Sequence, residues 1–259
     1  MTPSDKQRLD VAVLNRGLAA SRQRARALIM SGKILVNRKP ADKAGMAVTD
    51  RDEILLKTED HPFVSRGGLK LEAGLQAFAI AATDKVCLDV GASTGGFTDC
   101  LLQHGARKVY AVDVGYGQLA WKLRQDPRVV AIERTNIRRL PPGTIGEPLD
   151  LITIDVAFIS LKIVVPAVTP LMKAGAAIVA LIKPQFEVGK GQVGKGGVVR
   201  DPVLHRQVID ELTAFFSHLP LSVRTVIDSP ISGPKGNKEF LIHLQPLPAD
   251  QEKAVFPPD

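Results

Sequence analysis

Cysteine is scarce in this chain, with only Cys87 and Cys100 among 259 residues. Cys87 sits in an apolar strand-like run and Cys100 in an apolar helix-like run. Neither a disulfide framework nor a metal cluster is expected from such a pair. Long hydrophobic runs are also missing. The longest, residues 176–182, falls far short of the roughly 20 residues that cross a bilayer. The opening residues, MTPSDKQRLD, lack an apolar signal core. These absences lead to the expectation of a soluble, cytoplasmic protein with no membrane partner. Aromatic residues make up 5% of the chain and none precedes Phe63, so base stacking is not a binding mode for the N-terminal part.

Apolar residues, at 45%, suffice for a sizeable core. The length allows one large domain, or a small one followed by a medium one. The net charge is +7, which favours a polyanionic partner such as nucleic acid or an anionic surface. This charge is localised. Residues 1–43 hold ten basic and three acidic side chains, an excess equal to that of the whole chain.

Residues 1–60 read as a small α+β domain. Leu9, Val13 and Leu14 have helical spacing and end near Gly17. Ser21 is placed to cap a second helix, closed by Ser31-Gly32. Residues 34–36 read as a strand, 37–40 as a turn, and Val48 and 54–56 as later strands. A linker is expected at 61–66, a second domain at 67–247 and a tail at 248–259. In the second domain, strands are expected at 86–90, 109–113, 129–132, 149–155, 176–182, 222–228 and 239–244. Helices are expected at 67–78, 95–104, 118–124, 159–172 and 205–217. Such alternation implies an α/β fold, a Rossmann-like, doubly wound and mostly parallel sheet.

The stretch DVGASTGGFT at 89–98 follows a strand and opens a helix. Its glycines suit close approach of backbone to a ligand, but Gly91, Gly95 and Gly96 do not fit the dinucleotide fingerprint. A nucleoside ligand is favoured over a pyrophosphate, with Asp89, Gly91, Ser93, Gly95, Gly96 and Phe97 as candidate contacts. Asp113 ends the next strand, where a carboxylate can accept both ribose hydroxyls of an adenosine cofactor. Asn136, after the third strand, either bonds the adenine edge or caps its own loop.

Two polar residues end core strands, Asp155 and Lys183. Ligand crevices of open α/β sheets lie at these carboxyl ends. A lysine after five apolar residues is partly desolvated and so suited to act as a base, with a nearby aspartate to hold it. The segment 189–195 has P-loop spacing, but Gly196 stands where Ser or Thr must bind magnesium, and no strand leads in. A mobile basic loop over the site is the better expectation.

The stretches VSRGGLKL at 64–71, DVGASTGGFT at 89–98, DVGYGQL at 113–119, IKPQFE at 182–187 and GPKGNKEF at 233–240 together resemble the TlyA family. Its members are ribosomal-RNA 2′-O-ribose methyltransferases, some of which carry the name hemolysin. The resemblance covers nearly the whole chain. It implies an FtsJ-like catalytic domain that uses S-adenosylmethionine, with a Lys-Asp-Lys-Glu set on Lys70, Asp155, Lys183 and Glu239 and no metal. It implies an S4-type RNA-binding domain at the N-terminus and methylation of a cytidine in large-subunit, and by extension small-subunit, rRNA. The RNA-contact candidates are Arg8, Arg16, Arg22, Arg24, Arg26, Lys33, Arg38, Lys39 and Arg66, whose charges suit phosphates of a folded RNA. The partner implied is ribosomal RNA or a ribosomal subunit, with either a monomer or a homodimer open. The competing readings are a membrane-active hemolysin and a non-catalytic ribosome assembly factor.

Overall fold

The computed structural model describes residues 6–57, 61–189 and 191–248. Lys190 of the glycine loop and all but the first residue of the expected tail lie outside the described residues. The chain forms two compact units, Met1–Pro62 and Phe63–Asp259.

The first unit contains β1 (Gln7–Arg8), α1 (Leu9–Asn15), α2 (Arg22–Met30), β2 (Ile34–Val36), β3 (Lys39–Ala41), β4 (Ala47–Val48) and β5 (Ile54–Leu56). β3, β2 and β5 form one antiparallel sheet, and β1 pairs with β4. Ser21 caps α2 as expected, its hydroxyl accepting from the Arg24 N–H at 3.1 Å. The expected turn at 37–40 narrows to Asn37 and Arg38, with φ of 51° and 66°. That is the two-residue primed turn that matches strand twist. Pro40 then lies in β3, an edge strand, where its missing N–H costs no ladder bond. Leu9, Val13, Leu28, Ile29 and Ile34 make the core.

The second unit contains α3 (Gly67–Ala77), β6 (Val86–Val90), α4 (Gly96–Gln103), β7 (Lys108–Val112), α5 (Trp121–Arg124), β8 (Val129–Ile132), β9 (Leu149–Ile154), α6 (Leu161–Val168), β10 (Met172–Ile182), α7 (Pro184–Glu187), α8 (Pro202–Ser217), β11 (Leu221–Asp228) and β12 (Phe240–Pro246). The strands form one sheet in the order β11-β12-β10-β9-β6-β7-β8. All neighbours are parallel except those of β12, which runs antiparallel to β10 and β11. Alternate residues of the buried strands serve opposite faces. Val86, Leu88, Val90, Ile178, Ala180 and Ile182 enter one core with α6 and α8. Cys87, Val179 and Leu181 enter the other with α3 and α4.

Two expected helices are shorter than their sequence pattern. Pro166 lies inside α6, which stops at Val168 and passes through a 3-10 turn at Thr169–Leu171 into β10. α5 is a single turn, because residue 120 is tied back to the glycine loop by the Ala120 N–H donating to Thr94 O at 3.1 Å.

Asp89 is the one charged residue of β6 and is fully buried. Its Oδ2 accepts from the Thr98 N–H at 2.9 Å and the Thr98 hydroxyl at 2.7 Å, joining β6 to the first turn of α4. Burial pushes its pKa up to about 7, with the Asp155 charge adding and the Thr98 bonds opposing. Because the folded form holds its proton more tightly than the unfolded chain, this group makes stability fall as pH rises from about 4 to 7. The slope from one such group is at most about 1.4 kcal/mol per pH unit. The urea-measured stability of the unaltered protein relative to Asp89→Asn is expected to fall across this range.

Both cysteines are buried and free. Burial pushes both thiols up, Cys87 to about 12 and Cys100 further. An aromatic disulfide reagent at pH 8 is expected to label neither cysteine in the native protein and both in denaturant.

Candidate active site

Strand order reverses at β6, since β7 and β8 extend to one side and β9 and β10 to the other. The crevice of such a sheet opens at the carboxyl ends of β6 and β9. Gly91 turns the chain there with φ of +84°, and a Cβ on it would lie 2.4 Å from Asp155 O. Gly96 opens α4 against the start of α3, where a Cβ would sit 2.2 Å from the Ser65 hydroxyl and 3.0 Å from Gly68 N. Both glycines therefore serve packing between chain segments, which accounts for their departure from the dinucleotide spacing.

Two cavities meet at this crevice and share Gly91, Ser93 and Asp155. The first, about 850 Å³, is also lined by Asp113, Gln118, Asn136 and Phe158. Asp113 is anchored by the Ser93 N–H at 2.8 Å and the Gly115 N–H at 2.6 Å. Asn136 Oδ1 accepts from the Arg138 N–H at 3.0 Å, so it caps its loop while also lining the cavity. A carboxylate, an amide and the apolar side chains of Val114, Ile163 and Phe158 surround one space. This donor set fits a nucleoside, which offers hydroxyls, a polar base edge and apolar base faces.

The second cavity, about 650 Å³, is lined by Lys70, Asp155, Lys183 and Glu239. These come from α3, the end of β9, the end of β10 and the start of β12. Lys70 Nζ donates to Glu239 Oε2 at 2.5 Å. Lys183 Nζ lies 2.5 Å from Asp155 Oδ1, close enough to pair but off the line of a hydrogen bond. The Lys183 side chain is 13% exposed and that of Asp155 23%, so the pair faces the cavity while Lys70 and Glu239 lie deeper. Two buried carboxylate oxygens, Asp155 Oδ1 and Glu239 Oε1, have no hydrogen-bond partner among the described residues. Gly233 presses on the latter, since a Cβ there would approach Glu239 Oε1 to 1.9 Å.

Arg66, Gly96 and Phe97 line the second cavity, Arg66 being exposed. Asp89 and Gly95 line neither cavity. Asp89 is spent on Thr98, and Gly95 packs against Leu119 and Leu123. The glycine loop is tied at its far end. Gly194 bridges Val198, and Asn237 Nδ2 donates to Gly197 O at 3.0 Å.

The remaining RNA-contact candidates lie in the first unit, and several have protein partners. Arg8 and Arg22 pair with Asp10, and Arg38 with Glu53. Arg16 donates to Asp52 O at 2.7 Å and Thr49 O at 3.3 Å. Arg26 and Lys39 are exposed, and Arg24 and Lys33 half-buried.

Sequence reasoning missed Phe158, Gln118, Gly233 and Asn237. Phe158 is 90% exposed with φ of +62°, its ring 4.9 Å from that of Phe186. Its place three residues beyond a strand-ending aspartate was a usable signal. Glu187, inside a recognised motif, is structural: it accepts from the Ser160 hydroxyl at 2.6 Å and the Leu161 N–H at 2.8 Å, at the start of α6.

Among the described residues, no cluster of His, Cys, Asp and Glu is disposed to hold a metal, and no helix is long and apolar enough to cross a membrane. Residues 63–246 match the FtsJ-like methyltransferase family and residues 7–54 the S4 domain. The chain is 48% identical to YqxC of Bacillus subtilis over 98% of this chain and 91% of that one. It is 49% identical to the Mycobacterium tuberculosis protein named 16S/23S rRNA (cytidine-2′-O)-methyltransferase TlyA, over 93% of this chain and 90% of that one. A solved structure from Streptococcus thermophilus whose name carries the word hemolysin is similar at a TM-score of 0.73 and 44% identity, covering 93% of this chain and 89% of that one. The chain thus belongs to the FtsJ-like methyltransferases, and within them to the TlyA family of rRNA methyltransferases.

Proposed function

We propose that the chain transfers a methyl group from S-adenosylmethionine to the 2′-oxygen of a cytidine ribose in ribosomal RNA, acting in the cytoplasm. The observation that carries this reading is the placing of two lysine–carboxylate pairs in one cavity that adjoins a nucleoside-sized cavity ending at Asp113. The name of the Mycobacterium tuberculosis relative, an rRNA (cytidine-2′-O)-methyltransferase, supports the cytidine 2′-oxygen as target.

Asp113, Asn136, Ser93 and Gly91 would hold the cofactor. When bound, it supplies a methyl already activated by a sulfonium. The protein's task is then alignment and removal of one proton from a hydroxyl that is a poor nucleophile at neutral pH. Lys183, at the mouth of the second cavity, takes that proton. Asp155, 2.5 Å away, holds the resulting ammonium. Lys70 and Glu239 form the floor, where Glu239 keeps Lys70 in place. The proton belongs to the coupled set rather than to one member. The first unit would carry RNA through arginine contacts to phosphate, with Arg66 of the second unit at the cavity mouth.

Lys183→Ala and Asp155→Ala are each expected to lower methyl transfer at least about 100-fold, the usual scale for a lost general base. Filter binding of an rRNA transcript should stay unchanged. Normal turnover in either variant would remove the assigned residues from the chemistry.

Asp113→Ala is expected to weaken S-adenosylmethionine binding about tenfold or more in calorimetry, as befits lost bonds to a charged acceptor. Mass mapping of 2′-O-methyl groups in rRNA from cells with and without the gene identifies the nucleotide. An unchanged map would argue against rRNA as substrate.

A further inference from the structure

Asp10 is a fully buried carboxylate in the first turn of α1. It is held by two arginines from different elements. Arg8 of β1 donates through Nε at 3.0 Å to Oδ1 and through Nη2 at 3.2 Å to Oδ2. Arg22 of α2 donates through Nε at 3.0 Å to Oδ2. The Arg8 hydrogen bond, opposed by burial and joined by Arg22, keeps the Asp10 pKa below the ordinary carboxylate range. The group is therefore ionised at neutral pH.

A buried carboxylate requires compensation. One bidentate arginine would supply it. Here there are two, and both keep about half of their side-chain surface in solvent, 51% for Arg8 and 54% for Arg22. A guanidinium carries five donors in a rigid planar fork. Arg8 spends its Nε–Nη2 edge on Asp10 and retains Nη1. Arg22 spends Nε and retains both terminal nitrogens. One buried anion thus orients two cations, and among the described residues Arg8 Nη1, beside Gly45, and both terminal nitrogens of Arg22 have no acceptor. Arginines fixed beforehand lose less freedom when a phosphate binds, so the binding they provide is stronger and more directional.

We propose that Asp10 is a positioning residue for RNA binding: it templates Arg8 and Arg22 as a preformed clamp for backbone phosphate of a folded RNA. The inference rests on the reading that the first unit binds RNA.

The sign of one substitution tests it. Asp10→Asn preserves shape and makes the protein more positive by one charge. Simple electrostatics then demands tighter RNA binding and a steeper salt dependence. The clamp demands weaker binding, roughly fivefold, with a salt slope shallower by about one, the signature of a lost phosphate contact. The measurement is filter binding of full-length protein to a large-subunit rRNA transcript across a KCl series. S-adenosylmethionine calorimetry and a thermal melt serve as fold controls. In an Arg8→Ala/Arg22→Ala background, Asp10→Asn should have no further effect, whereas a purely structural role would add its cost again. If Asp10→Asn unfolds the unit, Arg22→Lys decides, because it keeps the charge and removes the fork. Weaker binding supports the clamp, and unchanged binding overturns it. Equal or tighter binding by well-folded Asp10→Asn also overturns it. Failure of the unaltered protein to bind the transcript would instead overturn the RNA-binding reading itself.

Discussion

The pairing of two lysines with two carboxylates, Lys70 with Glu239 buried and Lys183 with Asp155 half-buried, constrains the whole catalytic unit. Charges of this kind are costly to bring out of water, and their mutual attraction offsets that cost only when the geometry is good. Lys70 and Glu239 stand 169 positions apart in the chain, yet meet at 2.5 Å. The meeting depends on β12 inserting antiparallel between β10 and β11, which delivers Glu239 beside the ends of the parallel strands. It depends equally on α3 lying close to α4, which the bare backbone of Gly96 permits. A methyl group on Gly96 would press on Ser65 and the Gly68 N–H and displace the start of α3, which carries Lys70.

How much of this was legible in the sequence follows from whether the determinants are local. The strands β6 and β8 are short, mainly apolar runs bounded by turn residues, and their places are clear from pattern alone. Asp155 and Lys183 are legible for the same reason, each being the first polar residue after an apolar run. Lys70 and Glu239 look like an ordinary helix lysine and strand-start glutamate, and only resemblance to a family singles them out. No periodicity encodes the crossing that unites them. Asp89 illustrates the opposite error. Its position in the glycine motif suggests a ligand contact, but its carboxylate is consumed by Thr98 and never reaches the cavity. A polar side chain in a strand buried on both faces must satisfy itself inside the protein first.

The basic N-terminal unit carries a similar lesson about charge. Counting arginines identifies an electropositive segment, but not how each guanidinium is used. Arg8, Arg16, Arg22 and Arg38 all have protein acceptors. A partner does not withdraw an arginine from RNA binding, because the planar fork can serve two acceptors at once. It does fix which edge faces outward. Net charge governs long-range attraction and its salt dependence, whereas the acidic residues inside the unit govern where phosphates can be held.

Replacing a buried ion pair by packed apolar groups is often neutral or favourable for stability. The Lys70–Glu239 and Lys183–Asp155 pairs are therefore poorly explained as devices for holding the fold. Among the described residues, Glu239 Oε1 also lacks a partner, and Asp155 Oδ1 has an ion-pair contact but no hydrogen bond, an arrangement that stability alone would disfavour. Both pairs border the cavity in which a hydroxyl would have to lose its proton. A site that is under-satisfied on its own is one in which an incoming donor gains most. The same oxygens that weaken the unliganded protein thereby favour a substrate that brings hydroxyl groups to them. The catalytic unit accepts that cost at the carboxyl ends of its parallel strands, where the crevice lies, and flanks it with apolar cores.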